Sequence, residues 1–596
     1  MTFKNRIYGG SLKKTDVGKS IQLAGWIDTI RDHGHLLFVH LRDVKGVVQL
    51  VFDPSANKEA YTVAQRLRSE YVVNVLGHVR ERRDEDKNLD LPTGEIDVTV
   101  DKIDIVSEAE TPPFLISEKE DEFKVDEDLR LKYRYLDLRR PSMQKNLIQR
   151  YRLIKTMRDY FDSKGFVEVE TPMLTKSTPE GARDYLVPAR NHPQKFYALP
   201  QSPQLFKQLL MVSGLDRYFQ VVKCFRDEDL RPNRQPEFTQ LDLEASFIDE
   251  EFIYELLEGL MVDLFGVMGV DMKAPFPRIT YDESMALYGN DRPDIRFDMK
   301  MIDVSSHLSN VGYKIFKSIL ESGGKIKGIT VKNQAEALSK TFIQNELVKN
   351  VIIKLGGKGL TWMKMENGKL ESNVVQFFSD TEQAALIRDM NAENGDVLFF
   401  VADANPKLVD DVLGKFRVYI ADYLKLIPDT FAPCWVTDFP LFEWHHNALT
   451  SCHHPFTQAQ GDILSVKDPK EALTFKARAY DLVINGEEVG GGSIRIHRSD
   501  VQEKIFQLLG LSKEEIEEKF GFFVKAFQYG TPPHGGLALG LDRLTSLLMK
   551  LNSIREVIAF PKNRVAYCPM TQAPDRVSQK QLEELNLRVV ELAPQV

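Results

Sequence analysis

The chain has 596 residues, 43% hydrophobic and 28% charged, with a formal net charge of −9. That length predicts three or four domains of a soluble globular protein, and the mildly acidic balance argues against coating nucleic acid through overall charge while leaving room for a local basic face. No apolar run approaches the roughly 20 residues needed to span a bilayer, and MTFKNRIYGG at the N-terminus lacks an apolar signal core, so a cytoplasmic protein with no membrane partner is expected. The cysteines, Cys224, Cys434, Cys452 and Cys568, form no Cys-x-x-Cys pair, which predicts neither a disulfide framework nor zinc.

Residues 1–107 read as a small all-β unit. Ile21–Ile27, Leu36–Arg42, Val47–Asp53, Val72–Val79 and Ile96–Ile105 are strand-like, with a helical stretch near Lys58–Arg68 after the third. This order suits an OB-fold barrel, whose sheet face commonly binds single-stranded nucleic acid. Phe38 shares a side with Leu36 and His40, which leaves it either in the core or on a base-stacking platform. Residues 108–140 are charged and read as a linker with a short helix. A helix after Pro141 carries Leu147, Tyr151, Ile154, Met157 and Phe161 as an apolar stripe, and Gly165 stands where a helix end favours a left-handed residue. A strand from Phe166 to Thr171 then meets Pro172.

Phe219–Phe247 reads as strand, charged turn, strand. Its second arm places Phe238, Gln240, Asp242 and Glu244 on one face and Thr239, Leu241, Leu243 and Ala245 on the other. One reading is a hairpin at a sheet edge with a wet face. The other is a binding surface, because Arg226 ends the first arm and the turn holds Asp227, Glu228, Asp229, Arg231 and Arg234, more like an anion-binding lid than a tight turn.

The long helix, strand and proline, this hairpin, and GLALGLDRL at 536–544 resemble motifs 1, 2 and 3 of class II aminoacyl-tRNA synthetases. TPEGARDYLVP (178–188), QSPQLFKQ (201–208), FRDEDLR (225–231), HHPFT (453–457), GGGSIRIH (490–497) and YGTPPHGG (529–536) together resemble the bacterial-type aspartyl-tRNA synthetases, over nearly the whole chain. The resemblance implies an α+β multidomain protein: an OB-fold anticodon-binding domain (1–107), a linker (108–140), an antiparallel-sheet catalytic domain (141–289 and 428–562), an α/β insertion domain (290–427) and a C-terminal extension (563–596). The insertion shows αβ patterns, among them Ile326–Val331, Val351–Leu355 and Val397–Val401, and the tail one amphipathic helix, SQKQLEELNLRVVEL.

The activity so implied is ATP-dependent ligation of L-aspartate to tRNA through an aspartyl-adenylate. Such chemistry asks for positioning and charge stabilisation rather than a covalent enzyme intermediate. The resemblance gives Arg226 the α-phosphate and the substrate carboxylate, Arg543 the γ-phosphate, and Phe238 with Arg543 the adenine. Glu228 and Gln235 match nucleotide contacts. Asp481 and Glu488 match ligands for Mg2+, and the Asn485-Gly486 turn would bring their strands together. Lys207 and Arg495 are expected around the substrate side-chain carboxylate, with Asp242, Gln240 and Glu180 nearer its ammonium and Gln204, three residues before Lys207 on one helix face, completing the contacts. His453 and His454 match substrate-carboxylate recognition, or form a structural pair. No dedicated base for transfer stands out, so the adenylate phosphate is expected to accept the proton.

In the barrel, Arg31, Phe38, Gln49 and Glu95 match anticodon contacts, and His33 stands where tRNA-discriminating members tend to have leucine, which implies the relaxed form that charges both tRNA-Asp and tRNA-Asn. A homodimer with Pro172 near its axis is implied by motif 1. Asparaginyl- or lysyl-tRNA synthetases share the plan but are disfavoured by the insertion and by the Lys207 and Arg495 pairing; an inactive RNA-binding paralogue is disfavoured by Arg226, Asp481, Glu488 and Arg543 standing together.

Overall fold

The computed structural model describes residues 2–118, 125–178, 182–228, 233–445 and 448–590. Contacts divide the chain into two compact units, one of Met1–Arg152, Leu230–Gln235 and Met549–Val577, the other of Leu153–Asp229, Pro236–Leu548 and Ser578–Val596. Among the described residues no helix is long and apolar enough to cross a membrane.

In the first unit, β1 (Ser20–Asp32), β2 (Leu37–Asp43), β3 (Gly46–Phe52), α1 (Lys58–Ala64), β4 (Val72–Glu81) and β5 (Ile96–Ser107) form a sheet in the order β1-β2-β3-β5-β4, and a β1–β4 pairing closes it into a barrel. The five expected strands and the helix are all present. A bulge between Ile27 and Ile30 lets β1 pair with β4 along its first half and with β2 along its second, which is how a long strand turns a barrel corner. Leu37, Val39, Leu41, Val48 and Leu50 fill the core. Phe38 alternates with these residues and lies on the outer face, half-buried, and so is not part of the barrel core.

The second unit takes the C-terminal half of α2 (Pro141–Ser163). Its buried stripe is Leu153, Met157 and Phe161, four residues apart, whereas Tyr151 is 63% exposed. The expected stripe was therefore turned too far round the helix. Gly165 is left-handed at φ +76°, and the Phe166 amide donates to the Phe161 carbonyl at 3.0 Å, closing the helix end as expected. There follow β6 (Val167–Glu168), α3 (Gln204–Val212), β7 (Arg217–Phe225), β8 (Glu237–Ser246), α4 (Glu250–Val267) and β9 (Arg278–Thr280).

Between these and the rest of the unit stands a five-stranded antiparallel sheet of β10 (Ile302–Asp303), β11 (Lys325–Val331), β12 (Thr361–Glu366), β13 (Lys369–Glu371) and β14 (Val397–Asp403), in the order β10-β11-β14-β12-β13 and backed by α5 (Pro406–Tyr423). Residues 351–355 are helical there apart from the turn at Leu355, so that apolar run is not a strand. The chain returns through β15 (Pro433–Thr437), β16 (Ala479–Ile484), β17 (Glu487–Ile494), β18 (His534–Gly540) and α6 (Leu541–Leu548). The principal sheet runs β9-β15-β16-β17-β18-β8-β7-β6, antiparallel except at its two edges. Its core face carries Leu241, Leu243, Leu482, Ile494, Leu537 and Leu539 against α2 and α4. The tail helix is confined to Gln579–Glu584, far shorter than its amphipathic pattern suggested.

Candidate active site

Strand register assembles the site. Gln240, Asp242 and Glu244 on β8 pair with Gly540, Ala538 and Gly536 on β18, and Ala538 and Gly536 pair in turn with Gly491 and Ser493 on β17; Gly491 faces Asp481 on β16. Period-two alternation then puts all of these side chains on the face opposite the core. The middle of that face is Gly-Ala-Gly beside Gly-Ser, a trough without bulky side chains, with β8 polar groups along one wall and Asp481 along the other. The glycines are required: a Cβ on Gly536 would stand 2.0 Å from Glu244 Oε2, and one on Gly491 2.4 Å from Asp481 Oδ1.

At one end lie four buried charges. Lys207 Nζ reaches Asp242 Oδ1 at 2.7 Å and Glu244 Oε2 at 3.3 Å. Arg495 donates to Glu244 through Nε at 2.9 Å and Nη2 at 3.3 Å, and through Nη1 to Ser493 Oγ at 2.6 Å and His454 Nε2 at 2.5 Å. Burial pushes the Glu244 carboxyl up, but Arg495 and Lys207 outweigh it and hold it below its ordinary value. For Asp242 burial wins, pushing it up to about 6 despite Lys207. Burial and the neighbouring Arg495 push His454 well below its usual range, so it is neutral and accepts the Arg495 proton donor. The same causes push His453 down to about 4; its ring meets Phe439 edge-on at 4.7 Å.

Among the described residues several buried polar atoms here have no hydrogen-bond partner: Asp242 Oδ2, Gln204 Nε2, His453 Nε2 and Arg226 Nε. Native interiors seldom leave such atoms orphaned, and several around one trough point to a ligand that is polar and charged. Gln204 opens α3, whose first turn also carries Lys207, as expected from their spacing.

Farther along β8, the Arg226 amide donates to the Pro236 carbonyl at 2.9 Å and its guanidinium lies over the Phe238 ring at 5.2 Å. Asp227 pairs with Arg183 of the 178–188 segment through its amide at 3.0 Å, placing Glu228 beside it. Gln240 accepts a contact from Cys224 Sγ at 3.2 Å. Arg543 stands in the first turn of α6, just past Gly540, and donates to the Glu488 carbonyl at 2.6 Å. Asp542 anchors that turn to β8 by accepting the Thr239 amide at 2.9 Å.

Asn485 and Gly486, at φ +55° and +81°, make the two-residue turn that joins β16 to β17. The turn leaves Glu488 opposite Val483, on the same face as Asp481, and a bulge between Leu482 and Val483 then brings Gly491 opposite Asp481. The Gly491 Cβ position lies 2.4 Å from Asp481 Oδ1 and 3.8 Å from Glu488 Oε1, so both carboxylates converge on it. Burial and the adjacent Glu488 raise Asp481 well above the carboxylate range. Two like charges forced together over a glycine cradle fit a divalent cation, which an oxygen pair of this kind would hold. Among the described residues no group of three or more acidic, histidine or cysteine side chains forms a metal cluster. Glu180 lies outside the described residues. Gln235 belongs to the first unit, where its amide pairs with the Lys562 backbone.

On the outer face of the barrel, Arg31 pairs with Phe38 and His40 with Gln49. His33 meets the Phe38 ring edge-on at 5.4 Å. Glu95, exposed, immediately precedes β5. Arg31, Phe38, His40 and Gln49 are thus neighbours across three adjacent strands, with His33 against the Phe38 ring.

A family model described as "tRNA synthetases class II (D, K and N)" matches residues 126–564, and one described as "OB-fold nucleic acid binding domain" matches residues 21–106. The chain belongs to the class II tRNA synthetases. Among similar synthetases, the Aspartate--tRNA(Asp/Asn) ligase 1 of Syntrophus aciditrophicus is 54% identical, over 98% of this chain and 83% of its own. The Aspartate--tRNA(Asp/Asn) ligase of Persephonella marina is 49% identical over 98% of both chains, as is the Aspartate--tRNA ligase of Geobacillus kaustophilus. An asparaginyl-tRNA synthetase from Pyrococcus horikoshii, complexed with asparaginyl-adenylate, superposes at a TM-score of 0.58 with 21% identity, covering 93% of this chain and 97% of that one, and so shares the fold.

Sequence reasoning did not place Glu244, Ser493, His534 and Gln208 in this synthetase site. Glu244 binds both cations, and His534 Nε2 meets Gln208 Oε1 at 3.1 Å behind it. Glu244 had a signal, since it continues the polar alternation of β8. The others lie in the QSPQLFKQ, GGGSIRIH and YGTPPHGG segments, whose resemblance marked the stretch but not these residues.

Proposed function

We propose that this synthetase activates L-aspartate with ATP and transfers it to tRNA. The observation that carries the reading is the single sheet face that holds buried Arg495, Asp242 with an Oδ2 unpartnered among the described residues, Arg226 and the Asp481 and Glu488 cradle, with buried Lys207 reaching it from α3. That sequence of charges matches an ammonium dicarboxylate, a phosphate and a cation laid end to end. Lys207 and Arg495 take the side-chain carboxylate, and Asp242, Gln240 and Gln204 the ammonium side, with neutral His454 fixing the Arg495 fork. Glu180 and His453 are assigned by family resemblance to the same substrate. Asparagine, with a neutral amide, brings no second negative charge to the two buried cations and sets N–H donors against them, which is the kind of loss that discriminates strongly.

Arg226 holds the α-phosphate beside Phe238, which stacks the adenine with Arg543; Glu228 contributes to the nucleotide, and Gln235 follows the motif. Mg2+ held by Asp481 and Glu488 neutralises phosphate charge when bound. Arg226 and Arg543 stabilise the charge that builds on the phosphates as the substrate carboxylate attacks. In the transfer step the adenylate phosphate takes the proton of the terminal ribose. Alanine replacement of each titratable residue on this face tests that step: loss of transfer with adenylate formation intact at any one of them identifies a protein base and contradicts it.

Arg31, Phe38, Gln49 and Glu95 read the anticodon, and His33 confers the relaxed form that charges tRNA-Asp and tRNA-Asn. Aspartylation of the two purified tRNAs is the test. Comparable charging of both is expected, and a strong preference for tRNA-Asp rejects the relaxed reading. A homodimer accounts for the exposed apolar residues Val167 and Leu174 flanking Pro172, 49% and 52% exposed, and sizing in solution checks it.

A further inference from the structure

Behind the four buried charges, Gln208 and His534 tie the helix that carries Lys207 to the strand beside Arg495. His534 opens β18 opposite Ser246, the last residue of β8, and both Gln208 and His534 are completely buried. The His534 Nδ1 stands 2.8 Å from the Pro532 carbonyl and its Nε2 3.1 Å from Gln208 Oε1. A carbonyl only accepts, so Nδ1 carries a proton. Burial pushes the ring below its ordinary value, with Arg495 and His497 acting in the same sense and Glu244 and the Pro532 carbonyl against, so the ring is neutral and Nε2 is an acceptor. Gln208 Nε2 meanwhile has no partner among the described residues. Turning the Gln208 amide over sets its NH2 against His534 Nε2 and satisfies donor and acceptor together.

The same two residues touch what holds each cation. Gln208 follows Lys207 on α3, and Met211, one turn on, takes the Ser246 hydroxyl at 3.2 Å, so this face of the helix lies along β8 with Lys207 on Asp242 and Glu244. On the other side the His534 carbonyl accepts the Arg495 amide at 2.9 Å. Lys207 is thus held through α3, and Arg495 through its own backbone, to one residue. Both cations already share Glu244, and a second carboxylate gripped by the two of them reads the distance between them. We propose that the Gln208–His534 pair is a positioning device for aspartate selection, which sets the spacing of Lys207 and Arg495 and thereby the fit of the substrate side-chain carboxylate. This assignment rests on the aspartate-binding reading given above.

The test is ATP–pyrophosphate exchange by the full chain with aspartate and with asparagine. Gln208→Leu keeps the side-chain bulk and removes the bond. Its KM for aspartate is expected to rise about tenfold, the factor for one buried hydrogen bond lost with its partner left unpaired, with KM for ATP within about twofold of the parent. Asparagine brings no side-chain carboxylate to the two cations, so the aspartate-to-asparagine ratio in kcat/KM should fall by a similar factor. At position 534 asparagine sets its amide nitrogen near the place of Nδ1 and glutamine near that of Nε2. His534→Asn should therefore match Gln208→Leu, His534→Gln should recover most of the parental KM, and Gln208→Leu with His534→Asn together should be no worse than the more affected single variant. If Gln208→Leu does not fold, Gln208→Met takes its place. An unchanged KM for aspartate in Gln208→Leu overturns the assignment, as does lowered thermal stability with unchanged discrimination, which marks a purely structural bond. Recovery by His534→Asn rather than His534→Gln, or fully multiplicative effects in the double variant, overturns it too. Absence of exchange with aspartate in the unaltered chain overturns the aspartate reading and this assignment with it, whereas exchange in that chain with an unaffected Gln208→Leu overturns the assignment alone.

Discussion

Replacing Gly491 by alanine separates the metal cradle from the fold. Gly491 has no left-handed backbone, so alanine is admissible there conformationally. Its Cβ would stand 2.4 Å from Asp481 Oδ1, about 0.6 Å inside the closest approach that such atoms tolerate, and 3.8 Å from Glu488 Oε1. Asp481 is buried on β16 and has to rotate or recede by more than half an ångström, away from the point on which both carboxylates converge. Misplacing a reacting group by about 1 Å costs on the order of 100-fold in rate. Aspartate-dependent exchange by Gly491→Ala should therefore fall by roughly 30- to 100-fold, about 2–2.7 kcal/mol, and recover partly at raised Mg2+.

The flanking glycines are the controls. A Cβ on Gly492 would meet the Gly536 carbonyl at 2.1 Å and one on Gly490 the Ala538 carbonyl at 2.6 Å, so these variants should lose thermal stability, whereas Gly491→Ala should melt close to the parent. Exchange by Gly491→Ala within threefold of the parent, with unchanged Mg2+ dependence, would refute the cradle.

Arg495→Met strips Glu244 of its two-pronged partner and leaves a buried carboxylate short of a cation, so a loss of about 3–5 kcal/mol in denaturant stability is expected together with loss of discrimination between aspartate and asparagine. Phe38→Ala should raise KM for tRNA by the equivalent of about 1–3 kcal/mol while pyrophosphate exchange stays unchanged, as for a stacking ring in a domain apart from the chemistry. In the proposed binding mode Asp242 holds the ammonium only when ionised, and burial holds its carboxyl up to about 6. The KM for aspartate should thus rise as pH falls from 7 to 5, and Asp242→Asn should abolish that dependence along with most binding.

Much of this was legible because strands write their geometry into alternation. The polar set Phe238, Gln240, Asp242 and Glu244 against Leu241, Leu243 and Ala245 gave the site face and the core face at once, and the Asn485-Gly486 turn brought Asp481 and Glu488 onto one face as its residue types demand. The barrel strands were readable for the same reason. Helix rotation was harder, since Tyr151 and Leu153 are two residues apart and both apolar, and only packing against α4 selects Leu153. Contacts between remote segments left no trace in local pattern: nothing near Gln235 announces Lys562, and nothing in PPHGG announces that His534 meets Gln208. The tail carried amphipathic spacing for about fifteen residues, but in the described part no buried residue holds it helical beyond Glu584.

Amino-acid-dependent pyrophosphate exchange by the unaltered chain with ATP and Mg2+, run in parallel with aspartate and with asparagine, is the most direct test of the proposed activity. Exchange with aspartate and background with asparagine is the expected result. Background with aspartate, or equal exchange with the two, would contradict the assignment of Lys207 and Arg495 and the function built on them.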